Sequence, residues 1–136
     1  MKKTLSAKIT SAAIALIYSG SLALGQHDLG GTGNVASGTP SVAGGQNNVA
    51  SGNNSVAVGI TNAASGPRSS AFGYTNRATG FASTAVGNEN EAIGEWSSAF
   101  GVNNVASESG STALGAFNDA TGFGSTAVGI DNYASG

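Results

Sequence analysis

Few residues of this 136-residue chain are of the types that carry chemistry, and their spacing decides against most of it. The one histidine, His27, stands beside Asp28 near the chain start. Such a pair serves acid–base or metal chemistry only where a fold holds it rigid, and this stretch reads instead as a solvated terminus. Glu89, Glu91 and Glu95 crowd one short segment, as the paired carboxylates of a glycosidase or the ligands of a calcium site would. Read as a strand between two turns, however, the segment sends Glu91 outward and leaves Glu89 and Glu95 in the turns, which makes a solvated acidic edge. A calcium-binding roll needs a recurrent aspartate in each nonapeptide, and aspartate here is sporadic. Glycines recur along the chain, but no lysine follows any of them, as a nucleotide-binding loop requires. No catalytic residue, cofactor or metal ligand is expected from these residues.

The composition is 22 glycines and only 9 % charged residues, with alanine, serine, asparagine and threonine making up much of the rest. Large apolar side chains are too scarce for a thick globular core. Residues 1–25 form a separate unit. Lys2, Lys3 and Lys8 precede an apolar run that begins with Ala12–Tyr18, and Ala23-Leu24-Gly25 offers the small residues that a signal peptidase reads, with Gln26 as the mature start. Ser19, Gly20 and Ser21 interrupt the run below the roughly 20 residues of a membrane span, so export is expected, with no span left in the mature chain. All three lysines lie in that segment. The remainder holds Arg68 and Arg77 against seven carboxylates, a formal charge of 2 − 7 = −5 that supplies no footprint for nucleic acid. Cysteine is absent, so no disulfide reinforces the fold, and stability must come from stacking and oligomerisation.

Residues 26–33 read as a lead-in, and residues 34–136 as a repeat array. Beginning with Asn34, alanine occupies position 3 of fifteen successive seven-residue units, from Ala36 to Ala134, without an insertion. Position 5 is glycine from Gly38 to Gly136, except at Glu108. Position 1 alternates between asparagine (Asn34, Asn48 and onward to Asn132) and serine (Ser41, Ser55 and onward to Ser125), so the full repeat is a fourteen-residue pair of one Asn unit and one Ser unit. Glycine in every heptad and the lack of a Leu or Ile seam exclude a coiled coil. Five alternating residues followed by a turn pair such as Asn53-Asn54 or Pro67-Arg68 read as a short strand and a turn. Two strands and two turns then close one coil of an all-β solenoid.

Positions 1, 3 and 5 share a face, and being small they are expected inside, because Arg77, Glu91, Asp119 and Phe72 at positions 2 and 4 could not enter a narrow interior. Stacking at about 4.8 Å would set the asparagines into hydrogen-bonding ladders, and seven coils would span roughly 34 Å. At position 4 the Ser units carry Val58, Phe72, Val86, Phe100, Leu114 and Val128, while the Asn units carry mostly Ser and Thr. A continuous apolar stripe of that kind marks an interface, between copies of the chain or against another part of a longer chain.

Asn54-Ser55-Val56-Ala57-Val58-Gly59-Ile60-Thr61-Asn62 resembles the NSVAIGxxS repeat of YadA-like head domains of bacterial trimeric autotransporter adhesins. Asn90-Glu91-Ala92-Ile93-Gly94 and Ser97-Ser98-Ala99-Phe100-Gly101 are weaker copies. The resemblance implies a left-handed parallel β-roll assembled as a homotrimer with its apolar sheets inward, secreted to the bacterial cell surface to bind a matrix protein such as collagen, or glycans. Such adhesins continue into a neck, a stalk and an outer-membrane anchor that this sequence does not contain, so a fragment or a released head is expected, and anchoring is not carried over. Asn54, Ser55, Val56, Ala57, Val58 and Gly59 are the motif-based ligand candidates. Tyr74, Trp96 and Tyr133 join them as exposed aromatics, the first two placed in turns with Phe81, Phe117 and Phe123. The expected trimer contacts are Val58, Phe72, Val86, Phe100, Leu114 and Val128. A surface- or ice-binding solenoid is the alternative, although Ser70 and Ser98 break the threonine column of Thr84, Thr112 and Thr126. A solenoid lyase or hydrolase needs long loops, for which fourteen-residue coils leave no room.

Overall fold

The computed structural model describes residues 26–136; the signal-segment reading concerns residues 1–25, which lie outside the described residues. Sixteen strands follow in chain order: β1 Gln26–Thr32, β2 Val35–Ala36, β3 Ser41–Gln46, β4 Val49–Ala50, β5 Ser55–Ile60, β6 Ala63–Ala64, β7 Ser70–Tyr74, β8 Arg77–Ala78, β9 Thr84–Asn88, β10 Glu91–Ala92, β11 Ser98–Val102, β12 Val105–Ala106, β13 Thr112–Ala116, β14 Asp119–Ala120, β15 Thr126–Ile130 and β16 Tyr133–Ala134. Odd-numbered strands form one eight-stranded sheet and even-numbered strands another. All pairings are parallel, and from β3 and β2 onward each residue pairs with the one fourteen positions later, as Ala57 does with Ala71 and Ala64 with Ala78. This is a parallel β-solenoid, as the period requires.

The interior is what the spacing predicts at positions 1 and 3. Alanines from Ala43 to Ala120 are fully buried, and the asparagines from Asn48 to Asn118 and serines from Ser41 to Ser111 are at most 1 % exposed. The asparagines form a continuous ladder. Asn62 Oδ1 accepts from both the backbone N and Nδ2 of Asn76 at 3.0 Å, and Asn62 Nδ2 reaches the Val58 carbonyl at 3.1 Å and the Gly73 carbonyl of the next coil at 2.7 Å. Because a backbone N–H can only donate, the amide oxygen must be the atom that faces it. The same links run from Asn34 to Asn132. The serine column fills space more than it bonds: Ser83 and Ser111 donate to the carbonyl three residues back, while Ser41, Ser55, Ser69 and Ser97 find no partner.

Three expectations are corrected. The two strands of a coil are unequal, because Asn units contribute strands of two residues instead of five. In these units the backbone N–H groups of positions 4 and 5 converge on one carbonyl, as Ser51 and Gly52 do on Ala64 at 3.0 and 3.3 Å, and the chain turns there. A Ser55 N–H to Gly52 carbonyl bond of 3.1 Å then closes a turn whose third residue, Asn54, has φ 59°, the left-handed place of a type II turn.

The glycines of position 5 are, secondly, two classes. In Ser units they take φ from 106° to 126° and are half-buried or exposed, so they do not line the interior as expected. In Asn units no positive φ occurs at Gly38, Gly52, Gly66, Gly80, Gly94 or Gly122, and the first five are held to glycine by crowding, since a Cβ on Gly52 would lie 2.0 Å from the Gly66 carbonyl oxygen. Glu108 stands at a place of this second class, where φ is not positive, so its backbone carries no left-handed strain. Its N–H lacks the bond to the alanine carbonyl that Gly52, Gly66, Gly80, Gly94 and Gly122 make.

Lastly, residues 26–33 are not a loose lead-in. β1 pairs with β3 through Gln26–Ser41, His27–Val42 and Asp28–Ala43, then slips one residue between Asp28 and Gly31 before resuming at Gly31–Gly45. The solenoid therefore has eight long strands where counting from Asn34 gives seven. Asp28 stands at an inward alanine position, where its carboxylate accepts from Gly30 N at 2.9 Å and Asn34 Nδ2 at 3.4 Å and so ends the ladder.

A crowded strand glycine and an open turn glycine predict different costs. Gly101→Ala, with φ 119° and a Cβ 2.0 Å from the Gly115 oxygen, is expected to destabilise by about 2–4 kcal/mol. Gly124→Ala, with φ 64° and nothing within 4 Å, is expected to lose about 1 kcal/mol. Denaturant melts of both variants measure the difference, and equal losses would contradict the crowding argument.

Candidate functional site

The outward residues of the long strands form three columns. Position 4 is an in-register line of Gly44, Val58, Phe72, Val86, Phe100, Leu114 and Val128. Phe72, Leu114 and Val128 are 38 %, 45 % and 57 % exposed, and Val58, Val86 and Phe100 are half-buried, so the predicted interface residues do lie together on one surface. Gly44 is buried beneath Leu29 of β1, whose Cβ lies 3.0 Å from where a Gly44 Cβ would be.

Position 6, assigned to turns in the sequence, is instead the last residue of each long strand. Tyr74 therefore ends β7, paired with Ile60 and Asn88, and is not a turn residue. Exposed Ile60, Val102 and Ile130 stand in the same column and broaden the stripe into a face. The signal for them was available, since apolar residues occupy position 6 of these Ser units, but the two-residue turn assumption hid it.

The motif candidates separate into inner and outer sets. Ser55 is 1 % exposed and Ala57 is fully buried, so neither can touch a macromolecular ligand; they are interior packing. Val56, Val58 and Gly59 are half-buried on the long-strand sheet, and Asn54 is exposed at the turn that leads into it. Asn54, Ser55 and Val56 border a shallow open depression of about 220 Å³ together with His27, Pro40, Ser41 and Val42. His27 is exposed on β1, held in the sheet rather than on a free terminus.

Trp96 lies at the Asn-to-Ser corner and is 60 % exposed; Tyr133, on β16, is 69 % exposed. The Trp96 ring meets Phe81 edge to face, with centroids 6.1 Å apart and planes at 88°, and Arg68 sits 5.4 Å over the Phe81 ring. Phe123 occupies the Phe81 position three coils on and is 81 % exposed.

The acidic residues do not converge. Glu91 on β10 is 3.9 Å from Arg77 of the neighbouring β8, an exposed pair that contributes little. Glu89 and Glu95 stand at opposite corners of the coil, after a Ser strand and before one respectively. Among the described residues no group of three or more His, Cys, Asp or Glu is placed to hold a metal ion, and no helix is long and apolar enough to cross a membrane.

The division of the motif is testable. Ala57→Leu is expected to destabilise by about 2 kcal/mol or more by overpacking, whereas Val56→Thr, at the neighbouring half-buried residue on the outer face of the same strand, is expected to stay within about 0.5 kcal/mol. Thermal melts read both changes.

The model of the YadA head domain repeat matches residues 36–60, 64–90, 92–118 and 120–136. The matches begin 28 residues apart (64 − 36), which is two coils of the solenoid. No curated protein matches the chain. With most of the described solenoid inside those matches, the chain belongs to the YadA head domain repeat family, a family of adhesin heads.

Proposed function

We propose that this chain is the binding head of an exported homotrimeric adhesin, which packs its long-strand sheet against two further copies and presents its Asn-unit face and corners to a matrix protein or glycan. The apolar column from Val58 to Val128 carries the reading. The solenoid interior is alanine, serine and asparagine, whereas the large apolar side chains stand outside in register. Burying each of the six would contribute about 1.5–3 kcal/mol, which a thin polar interior cannot supply by itself. Membership in the adhesin-head family supports the same assignment.

The surface left over defines where ligand contact belongs. Val56, Val58, Gly59 and Tyr74 lie on the sheet that the trimer would cover, so contact falls to Asn54, Trp96 and Tyr133. Residues 1–25 would direct export and be removed, leaving a secreted or cell-surface head with a formal charge of −5 and no affinity for nucleic acid. A collagen-like matrix protein and a glycan are both ligands of the right class, and binding of the purified head to a panel of each identifies which.

Phe72→Glu combined with Phe100→Glu would set carboxylates along the column and is expected to convert a trimer into monomers by light scattering. An association state that is the same for the wild type and the double variant would sink the interface assignment.

A further inference from the structure

The corner between Asn and Ser units carries departures from what the repeat needs, and they are neighbours. Trp96 sits where each coil turns through left-handed backbone, with φ 53°. Asn54, Gly110 and Gly124 hold the same place in other coils and accept that geometry readily; Arg68 and Ala82 meet it with other side chains, and Trp96 is the bulky aromatic residue of the column. Burial does not compensate, because the indole is 60 % exposed. The ring is nonetheless fixed, by Phe81 of the preceding coil at 6.1 Å and through it by Arg68, one coil further back. One coil on, Glu108 replaces glycine at an exposed corner and forgoes a backbone hydrogen bond that its equivalents make. Local conflicts that folding does not require are retained where a surface is used.

The surroundings say what the surface fits. The ridge is open, so a purely apolar ligand would gain little enclosure there. Arg68 and Glu95 set both signs of charge beside the rings, and Arg68 already covers Phe81, which leaves that face closed to a second cation. At position 4 of the neighbouring Asn units stand exposed Ser65 and half-buried Thr79 and Ser107, with exposed Ile93 in the unit of Trp96 itself. An exposed aromatic ring with one apolar neighbour, Ile93, and hydrogen-bonding groups around it matches a sugar ring, whose C–H side stacks on the indole while its hydroxyls meet the polar groups. The carboxylates of Glu95 and Glu108 oppose an anionic sugar.

We infer that Trp96 is the platform of a subsite for neutral glycans, with Arg68, Glu95 and Glu108 at its rim. The inference rests on the reading of the Asn-unit side and its corners as the ligand-binding surface.

Trp96 is the sole tryptophan, so fluorescence excited selectively at tryptophan reports on this ridge alone. Acrylamide is expected to quench it in the free head. Cellohexaose or chitohexaose is expected to shift the emission to shorter wavelength and protect it, while heparin and nona-arginine leave it unchanged. Calorimetry of Trp96→Gly should show binding of the neutral probe weakened at least about tenfold, with a melting temperature no lower than that of the wild type. The subsite is overturned if nona-arginine alone shifts the emission, if acrylamide cannot reach Trp96 in the free head, or if Trp96→Gly binds as tightly as the wild type. A wild-type head that binds matrix proteins but neither oligosaccharide removes the subsite and leaves the adhesin reading standing. A head that binds nothing on either panel removes both.

Discussion

Every other feature of this solenoid depends on the asparagine ladder at the corner where a long strand gives way to a short one. The chain must reverse direction there, and glycine at φ above 100° swings the backbone out of its ordinary pairing. The carbonyls left facing inward are then taken by a side-chain amide, as Asn76 Nδ2 takes the Phe72 carbonyl at 2.9 Å and the Gly87 carbonyl of the next coil at 2.7 Å. The asparagine N–H is taken in turn by the asparagine of the coil before. Asparagine is the side chain that offers an acceptor and two donors at this reach while remaining neutral, and a buried carboxylate would face several carbonyls with nothing to donate. The fourteen-residue period is therefore the period at which this set of bonds can be repeated.

A polar ladder inside an alanine tube has an energetic consequence. Satisfying buried amides avoids a penalty more than it adds stability, and alanine contributes little apolar area. The large side chains that could provide a driving force, among them Phe72, Leu114 and Val128, project outward from the long-strand sheet. Inside and outside are thus chemically inverted relative to a globular domain. In the trimeric reading the chain's core is completed only between copies, which couples stability to association and makes it depend on concentration.

Much of this was legible in the sequence because the repeat tests each position many times. Alanine at fifteen successive places admits only one inward-facing register, and the Asn and Ser alternation at position 1 gave the pairing of units directly. Three things were hidden for physical reasons. The glycines look identical in sequence, yet those of Ser units combine left-handed backbone with close approach of the next coil's carbonyl, whereas those of Asn units are held by close approach alone. β1 departs from the pattern by one inserted residue and an aspartate in an alanine place, so the composition masks a strand that the sheet accepts through a bulge. In the candidate site, the motif from Asn54 to Gly59 mixes interior and surface residues in alternation, and a contiguous match cannot say that Ser55 and Ala57 face inward until the coil is closed.

The same separation explains how one scaffold can carry different surfaces. Inward positions are restricted to Ala, Ser and Asn by the width of the tube, whereas the outward places of Asn units range over Val35, Arg77, Glu91, Asp119 and Tyr133 with no change of register. Exchange at these places leaves the ladder untouched, so binding surface and fold vary independently. Corner residues are the exception, since they carry a side chain outward from backbone that is left-handed. At Thr61, Thr75 and Asp131 polar residues meet that constraint, while Trp96 and Phe117 meet it with exposed aromatic rings. An aromatic side chain held there is a rigid projection from a rigid rod, Trp96 at the Asn-to-Ser corner and Phe117 at the Ser-to-Asn corner. Equivalent positions of successive coils lie in register, so a linear ligand running along the axis would meet one column of side chains after another, and affinity would accumulate through repetition where each single contact is modest.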